Sequence, residues 1–283
     1  MRQVKPTRGR NHRLDQYVVA VTPESSRAFA TRLIEQGRVL INDLPQLKPG
    51  YKLRGADQVR IDYVPEDQAQ PADITLEVLY EDNDCVVINK PVGLLTHSKG
   101  AFNPEPTVAS WLGSRLSGMN GERAGIVHRL DRATSGVMIC AKTPEALSWL
   151  QKQFSMRKVK KTYVAVVEGD LALPEAIIDM PIERNPKKPQ TFRVGSNGKP
   201  AVTAYKVLQT STGRSLIELR PTTGRTHQLR VHLAHIKHPV VGDTFYRGVN
   251  ADRLLLHALS LEITLPNRQR KIFTAPLPAE FKV

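Results

Sequence analysis

Residues 125–136, GIVHRLDRATSG, hold the densest set of side chains that could do chemistry. Apolar Ile126 and Val127 lead, strand-like, into a polar turn with His128, Arg129 and Asp131, and an apolar run follows at residues 137–141. Strand, polar turn, strand presents a side chain on a rigid frame. Arg129 and Arg132 set positive charge around the single carboxylate of Asp131, which suits it to remain ionised. Such an Asp can be a nucleophile, a base or a salt-bridge partner. Turns also use Asp, Ser, Thr and Gly for purely structural reasons, so this stretch alone leaves the choice open.

A second polar cluster lies at residues 220–243, with Arg225, His227, Arg230, His232, His235, His238 and Asp243. His232 and His235 share a helix face, which invites a metal reading. No Cys or Glu lies among these histidines, HExxH is absent, and three arginines would repel a cation, so no metal site is expected. A hydrolase built on Ser135, His128 or His227, and Asp131 lacks the G-x-S-x-G elbow. Neither a phosphate-binding G-x-x-x-x-G-K-[ST] loop nor a strand-linked G-x-G-x-x-G is present, so nucleoside triphosphates and NAD have no support. What remains is one ionised Asp, several arginines, a strand tyrosine (Tyr163) and a basic surface. That set suits chemistry on a nucleotide without metal or cofactor.

The elements that must position these groups fall into two regions. In 283 residues, 41 Lys and Arg against 27 Asp and Glu give a net charge of +14. A surplus this large implies an anionic partner, most often nucleic acid. No apolar run is long enough for a membrane span, and no secretory leader opens the chain, so a cytoplasmic monomer is expected. Cys85 and Cys140 sit in apolar runs and read as buried thiols. Residues 1–12 read as a basic flexible arm. Residues 13–63 read as a small α/β unit, with helices over 13–21 and from a Ser25 or Ser26 cap to Gly37, then strands at 38–42, 51–53 and 58–62. Arg10, Arg13, Arg27, Arg32 and Arg38 cluster around its helices and fit phosphate contact. Residues 64–73, bounded by prolines, read as a linker.

From residue 74 the sequence is strand-rich, with few and scattered helices. Strands are expected at 76–80, 85–89, 137–141, 162–167, 203–208, 216–219, 254–261 and 262–265. Helices are expected at 108–116, from Thr143-Pro144, and over about 226–236. The pattern argues for α+β, with a largely antiparallel mixed sheet over 74–283. Two acid-free basic stretches, 151–162 and 184–217, add a second positive surface.

In order, GIVHRLDRATSG, KKTYVAVVEG and TGRTHQLRVHLAHIKHPVVGD resemble the RluA-type pseudouridine synthases, as do NKPVGLLTH (89–97), GKPAVTAYKVL (198–208) and APLP near the end. Residues 13–62 resemble the ribosomal S-four RNA-binding domain found at the front of the RluC and RluD branch. The resemblance covers nearly the whole chain; Arg132-Ala133 departs from the acidic or lysine-containing pair of many relatives. It implies that uridine in RNA is isomerised to pseudouridine, without metal or cofactor. Asp131 would be the catalytic carboxylate, and Arg230 would pair with it. Tyr163 would stack beside the base or act as a base on the sugar. Arg129 would fill the gap left by the flipped uridine. His128, Arg225 and His227 would lie at the RNA face, His128 chiefly shaping the turn. Large-subunit ribosomal RNA is the expected substrate, transfer RNA the alternative, and a non-catalytic RNA-binding protein the rival from another class.

Overall fold

The protein is described by a computed structural model covering residues 2–4, 12–22, 27–62, 72–98, 105–121 and 123–283. The Ser25 or Ser26 cap, Arg10, most of the expected arm and most of the expected linker lie outside the described residues. The chain divides into two compact units, residues 1–73 with 98–107, and residues 74–97 with 108–283.

In the first unit, strand β1 (Arg2–Val4) precedes helices α1 (Leu14–Val21) and α2 (Arg27–Glu35), then β2 (Val39–Ile41), β3 (Leu44–Pro45) and β4 (Val59–Ile61). The sheet order is β1-β4-β2-β3. Period-2 alternation turns Val39, Ile41, Val59 and Ile61 inward against Leu14, Val18, Leu33 and Ile34 of the helices. Helix α2 ends where the sequence predicts. Gly37 takes φ +72°, its N–H bonds the Ile34 carbonyl, and the Arg38 N–H bonds that of Leu33, a paired C-terminal cap. Two expectations need correction. Residues 2–4 of the arm pair with β4 as a strand. Residues 51–53 form no strand; Lys52 bridges Arg13, and the segment runs beside the start of α1.

The second unit is built on β5 (Glu77–Glu81), β6 (Cys85–Lys90), α3 (Val108–Leu112) with a 3₁₀ turn (Gly113–Arg115), β7 (Ser135–Ala141), α4 (Pro144–Ser155) and β8 (Lys160–Glu168). It continues with β9 (Glu175–Asp179), β10 (Ile182–Arg184), β11 (Phe192–Val194), β12 (Val202–Ser211), β13 (Arg214–Pro221), α5 (Gln228–His235), β14 (Leu256–Thr264) and β15 (Arg270–Thr274). The main sheet runs β5-β6-β7-β14-β8-β13-β12-β9, with β15 beside β14. Its pairings are antiparallel except β7 with β14. Strand β7 is buried along its whole length, which is why its sequence is continuously apolar. The Thr143 hydroxyl accepts from the Ala146 N–H to start α4, whose Leu150 packs on Val137, Ile139 and Ile263.

Three boundaries differ from the sequence reading. Residues 126 and 127 are not in a strand; Ile126 makes only an isolated bridge to Cys140. Helix α5 begins at Gln228 because His227 is left-handed, φ +56°. The two strands expected at 254–265 are one, β14, and the real turn comes later, before β15. Cys85 and Cys140 are both buried free thiols. Among the described residues, no helix is long and apolar enough to cross a membrane.

Candidate active site

The polar turn of residues 128–134 is held from several sides. Two glycines bracket the motif. Gly136 has φ +111°, and a Cβ there would strike the Ala258 backbone where β7 and β14 run side by side. Gly125 (φ +72°) is pressed against the Ala141 carbonyl in the same way. The 89–97 segment cradles the turn. Thr96 donates its hydroxyl to the Leu130 carbonyl at 2.8 Å, the Gly93 N–H bonds the Arg132 carbonyl at 2.8 Å, and Arg132 Nε returns a bond to the Gly93 carbonyl at 2.9 Å. Beneath them Lys90 is fully buried, its ammonium bonded to the Pro91 and Leu94 carbonyls at 2.9 Å. Burial pushes its pKa down to about 7, against the opposing pull of the Asp131 charge.

On the far side, Ser135 Oγ lies 2.8 Å from His257 Nδ1 and also accepts from Arg253, which in turn pairs with Glu280 at 3.1 Å. Ser135 and His257 are both buried, so this serine is a brace and not a nucleophile.

Asp131 opens into a cavity of about 130 Å³. That is the scale of space that takes a single six-membered ring. Leu130, Tyr163, Pro221, Leu229 and Leu256 give it apolar walls, and Arg129, Lys161, Arg225 and Arg230 stand at its polar sides. Arg230 Nη1 is 3.7 Å from Asp131 Oδ2, and His227 Nε2 is 3.8 Å away. Among the described residues nothing donates a hydrogen bond to the Asp131 carboxylate.

Arg230 pairs with Asp131 as expected, but by charge rather than by a hydrogen bond. Arg230 is bonded in bidentate fashion to Asp243, Nε to Oδ2 at 2.7 Å and Nη2 to Oδ1 at 2.8 Å, and offers only its third nitrogen to Asp131. Burial works against the guanidinium charge, but the Asp243 bonds and charge outweigh it and raise its pKa. Tyr246 and Phe245 lie against its plane.

His227 is positioned by a chain of bonds. The Phe192 N–H donates to the Tyr246 hydroxyl oxygen at 2.9 Å, so the phenolic hydrogen is free for His227 Nδ1 at 2.8 Å. Neutral His227 then carries its own proton on Nε2, facing Asp131. Burial lowers its pKa, partly offset by the Asp131 charge. The loop before α5 is fixed by Gln228, whose Oε1 accepts from Thr223 Oγ1 and the Arg225 N–H, and whose Nε2 donates to the Val202 carbonyl and Thr203. Arg225 also donates to the Pro200 carbonyl.

Tyr163 lines the cavity, and burial first, then the Asp131 charge, raises its pKa. It is therefore a neutral phenol, suited to stacking and donation rather than to acting as a ready base. Arg129 is exposed at the rim. His128 is half-buried and lines a groove beside the cavity. Its ring stacks on Phe154 at 4.6 Å, its Nε2 accepts from the Ile139 N–H, and burial holds its pKa down to about 3. His232 bonds Thr203 and the Met180 carbonyl, and His238 bonds the Glu168 carbonyl, so packing explains both.

In the N-terminal unit, Arg13 and Arg27 both bind Asp15, at 3.0 and 2.8 Å, while Arg32 is exposed on α2 and Arg38 half-buried. Sequence reasoning assigns no role to Asp243, Lys161, Lys90 or Tyr246. Lys161 could have been found, since it lies two residues from Tyr163 on the same face of β8.

With this geometry in view, comparison places the chain. The family model for RNA pseudouridylate synthase matches residues 84–235, and that for the S4 domain matches residues 12–59. The chain belongs to the RNA pseudouridylate synthase family and carries an S4 domain at its N-terminal side. A ribosomal large subunit pseudouridine synthase D of Xanthomonas campestris is 38% identical, over 99% of this chain and 89% of that protein. One from Escherichia coli K12 is 41% identical, over 83% of this chain and 73% of that protein. Among solved structures, human RNA pseudouridylate synthase domain containing 1 superposes with TM-score 0.60 at 30% identity, over 71% of this chain and 83% of that one.

Proposed function

We propose that this protein isomerises uridine to pseudouridine in large-subunit ribosomal RNA and that Asp131 is the carboxylate that acts on the ribosyl–uracil linkage. The reading rests above all on one observation. Asp131 faces a ring-sized cavity with its charge balanced at 3.7 Å and its oxygens not engaged by any hydrogen bond among the described residues. A carboxylate in that state is poised for substrate rather than for structure. The reaction breaks the N1–C1′ bond, forms C5–C1′, and exchanges the C5 proton for one on N1. It is redox-neutral and balances without a cofactor or metal.

A base must leave the RNA stack to enter so small a cavity, at a cost of about a few kcal/mol that stacking partly offsets. Tyr163 supplies a stacking face inside. Arg129, exposed at the rim, supplies a planar cation for the vacated position. Arg230, held by Asp243, aims and charge-balances Asp131, and His227 presents an N–H beside it. The relatives named for the ribosomal large subunit support that RNA over transfer RNA, as does the S4 domain with its arginines.

The test is pseudouridine mapping in large-subunit ribosomal RNA from cells with and without the protein, followed by restoration with wild type or Asp131→Asn. One or more positions should disappear and return only with wild type. Restoration by Asp131→Asn would remove the carboxylate from the chemistry, and an unchanged map would reject ribosomal RNA as substrate.

A further inference from the structure

Beside the ring-sized cavity lies a larger groove of about 540 Å³, sharing Arg129, Lys161, Tyr163 and Arg225 with it. Arg157, exposed at the end of α4, adds a fourth cation, and no carboxylate lines the groove. Its floor is His128 on Phe154, and its volume falls in the range of pockets that hold a nucleotide-sized ligand.

At the junction of the two spaces sits Lys161. It is half-buried, and its Nζ donates to the Thr223 carbonyl at 3.0 Å. Among the described residues no carboxylate lies within 4 Å of it, unlike the buried Arg230. The side facing it is Gly224, which leaves the space around the ammonium open. Desolvation alone lowers its pKa, to about 8, with no neighbouring negative charge acting to restore it. A desolvated ammonium without a counter-ion costs stability, so a fold that keeps one leaves a place for an anion to arrive. The face it shares with Tyr163 fixes where that anion must be, next to whatever sits on the tyrosine.

We propose that the groove seats a nucleotide adjoining the flipped uridine, and that Lys161 Nζ binds the phosphodiester joining the two. The inference rests on the function proposed above. Lys161 then acts as a substrate-binding residue: it fixes the backbone at the point where the base leaves the stack, and so sets how far the uracil enters. Arg157, Arg129 and Arg225 line the path of the strand on either side.

The experiment uses a synthetic RNA hairpin containing the uridine that wild type converts, together with two analogues carrying a neutral methylphosphonate on its 5′ or 3′ side. On one analogue wild type should need about tenfold more RNA for half-saturation, the scale of a lost hydrogen bond to a charge. Lys161→Met should show that loss on the native hairpin and no further loss on the same analogue. Lys161→Arg should recover most of the affinity. Lys161→Met should melt at or above the wild-type temperature, because an apolar side chain replaces an unpaired ammonium.

Equal half-saturation by wild type and Lys161→Met, or losses that simply add, overturns the contact. So does a lower melting temperature for Lys161→Met, which would assign the lysine to the fold. Failure of wild type to convert any uridine in unmodified large-subunit ribosomal RNA would instead defeat the proposed function, and is read before the variants are compared.

Discussion

Two arginine–aspartate clusters in this protein use the same groups in opposite proportion. In the catalytic unit one arginine, Arg230, serves two carboxylates: Asp243 by two short hydrogen bonds and Asp131 by charge alone. In the N-terminal unit one carboxylate, Asp15, serves two arginines, Arg13 and Arg27. The first cluster leaves an acceptor over and the second leaves donors over. Exposure follows the same division: the Arg230 and Asp243 side chains are 7% and 0% accessible, whereas those of Arg13 and Arg27 are 45% and 59%. A surplus carboxylate behind a dry wall suits covalent chemistry, and surplus guanidinium in water suits phosphate.

The sharpest way to break this contrast is to neutralise the surplus acceptor. Asp131→Asn should lower pseudouridine formation by about 10⁴-fold or more while RNA affinity stays within about threefold of wild type. A quantitative conversion assay beside a filter-binding titration separates the two. Next comes the partner that holds Arg230. Asp243→Asn leaves a buried guanidinium undercompensated, and the stability loss should approach the roughly 3–5 kcal/mol of a broken buried pair, read as a lower urea midpoint with unchanged slope. Asp243→Glu should restore part of it.

On the other side of the comparison, replacing both Arg13 and Arg27 by Ala should weaken RNA binding and reduce the slope of log affinity against log salt by about 0.7–0.9 for each phosphate no longer neutralised. Turnover at saturating RNA should not change. An unaltered slope would place the surplus donors off the RNA. The smallest effect concerns pH. The Arg13 hydrogen bond, the largest influence, and Arg27 hold Asp15 down at about 2, against burial. Its unfolded value is about 3.9, so its contribution to stability is complete above about pH 4 and is lost as pH falls toward 2. Acid titration of the N-terminal unit should show that loss in wild type and not in Asp15→Asn.

The sequence made some of this legible because local rules were sufficient. Gly37 ends α2, Thr143 starts α4, and the continuous apolar run of β7 marks a strand buried on both faces; each can be read from neighbours in the chain. The turn around Asp131 and the strand position of Tyr163 were legible for the same reason. Other features depend on distant partners. The pairing of Arg230 with Asp131 was legible, but its bidentate bond to Asp243 was not, because Asp243, thirteen residues on, reaches it only when the loop after α5 folds back. The stack of His128 on Phe154 was hidden because nothing near either residue in sequence announces it. Strand alternation puts Lys90 on the buried face of Val86 and Ile88, but its residue type gives no sign that the ammonium will be enclosed by the Pro91 and Leu94 carbonyls.

One feature of the sheet governs when the enzyme becomes an enzyme. Strand β7 leads away from the Asp131 turn and β8 carries Tyr163, yet the two are not neighbours; β14, residues Leu256–Thr264, lies between them, parallel to one and antiparallel to the other. During synthesis the aspartate, the tyrosine and even α5 are all made before the strand that sets their spacing. The nascent chain therefore carries Asp131, Tyr163 and Arg230 before it carries the strand that registers β7 against β8, and on the proposed function activity should appear only once residues 256–264 have inserted.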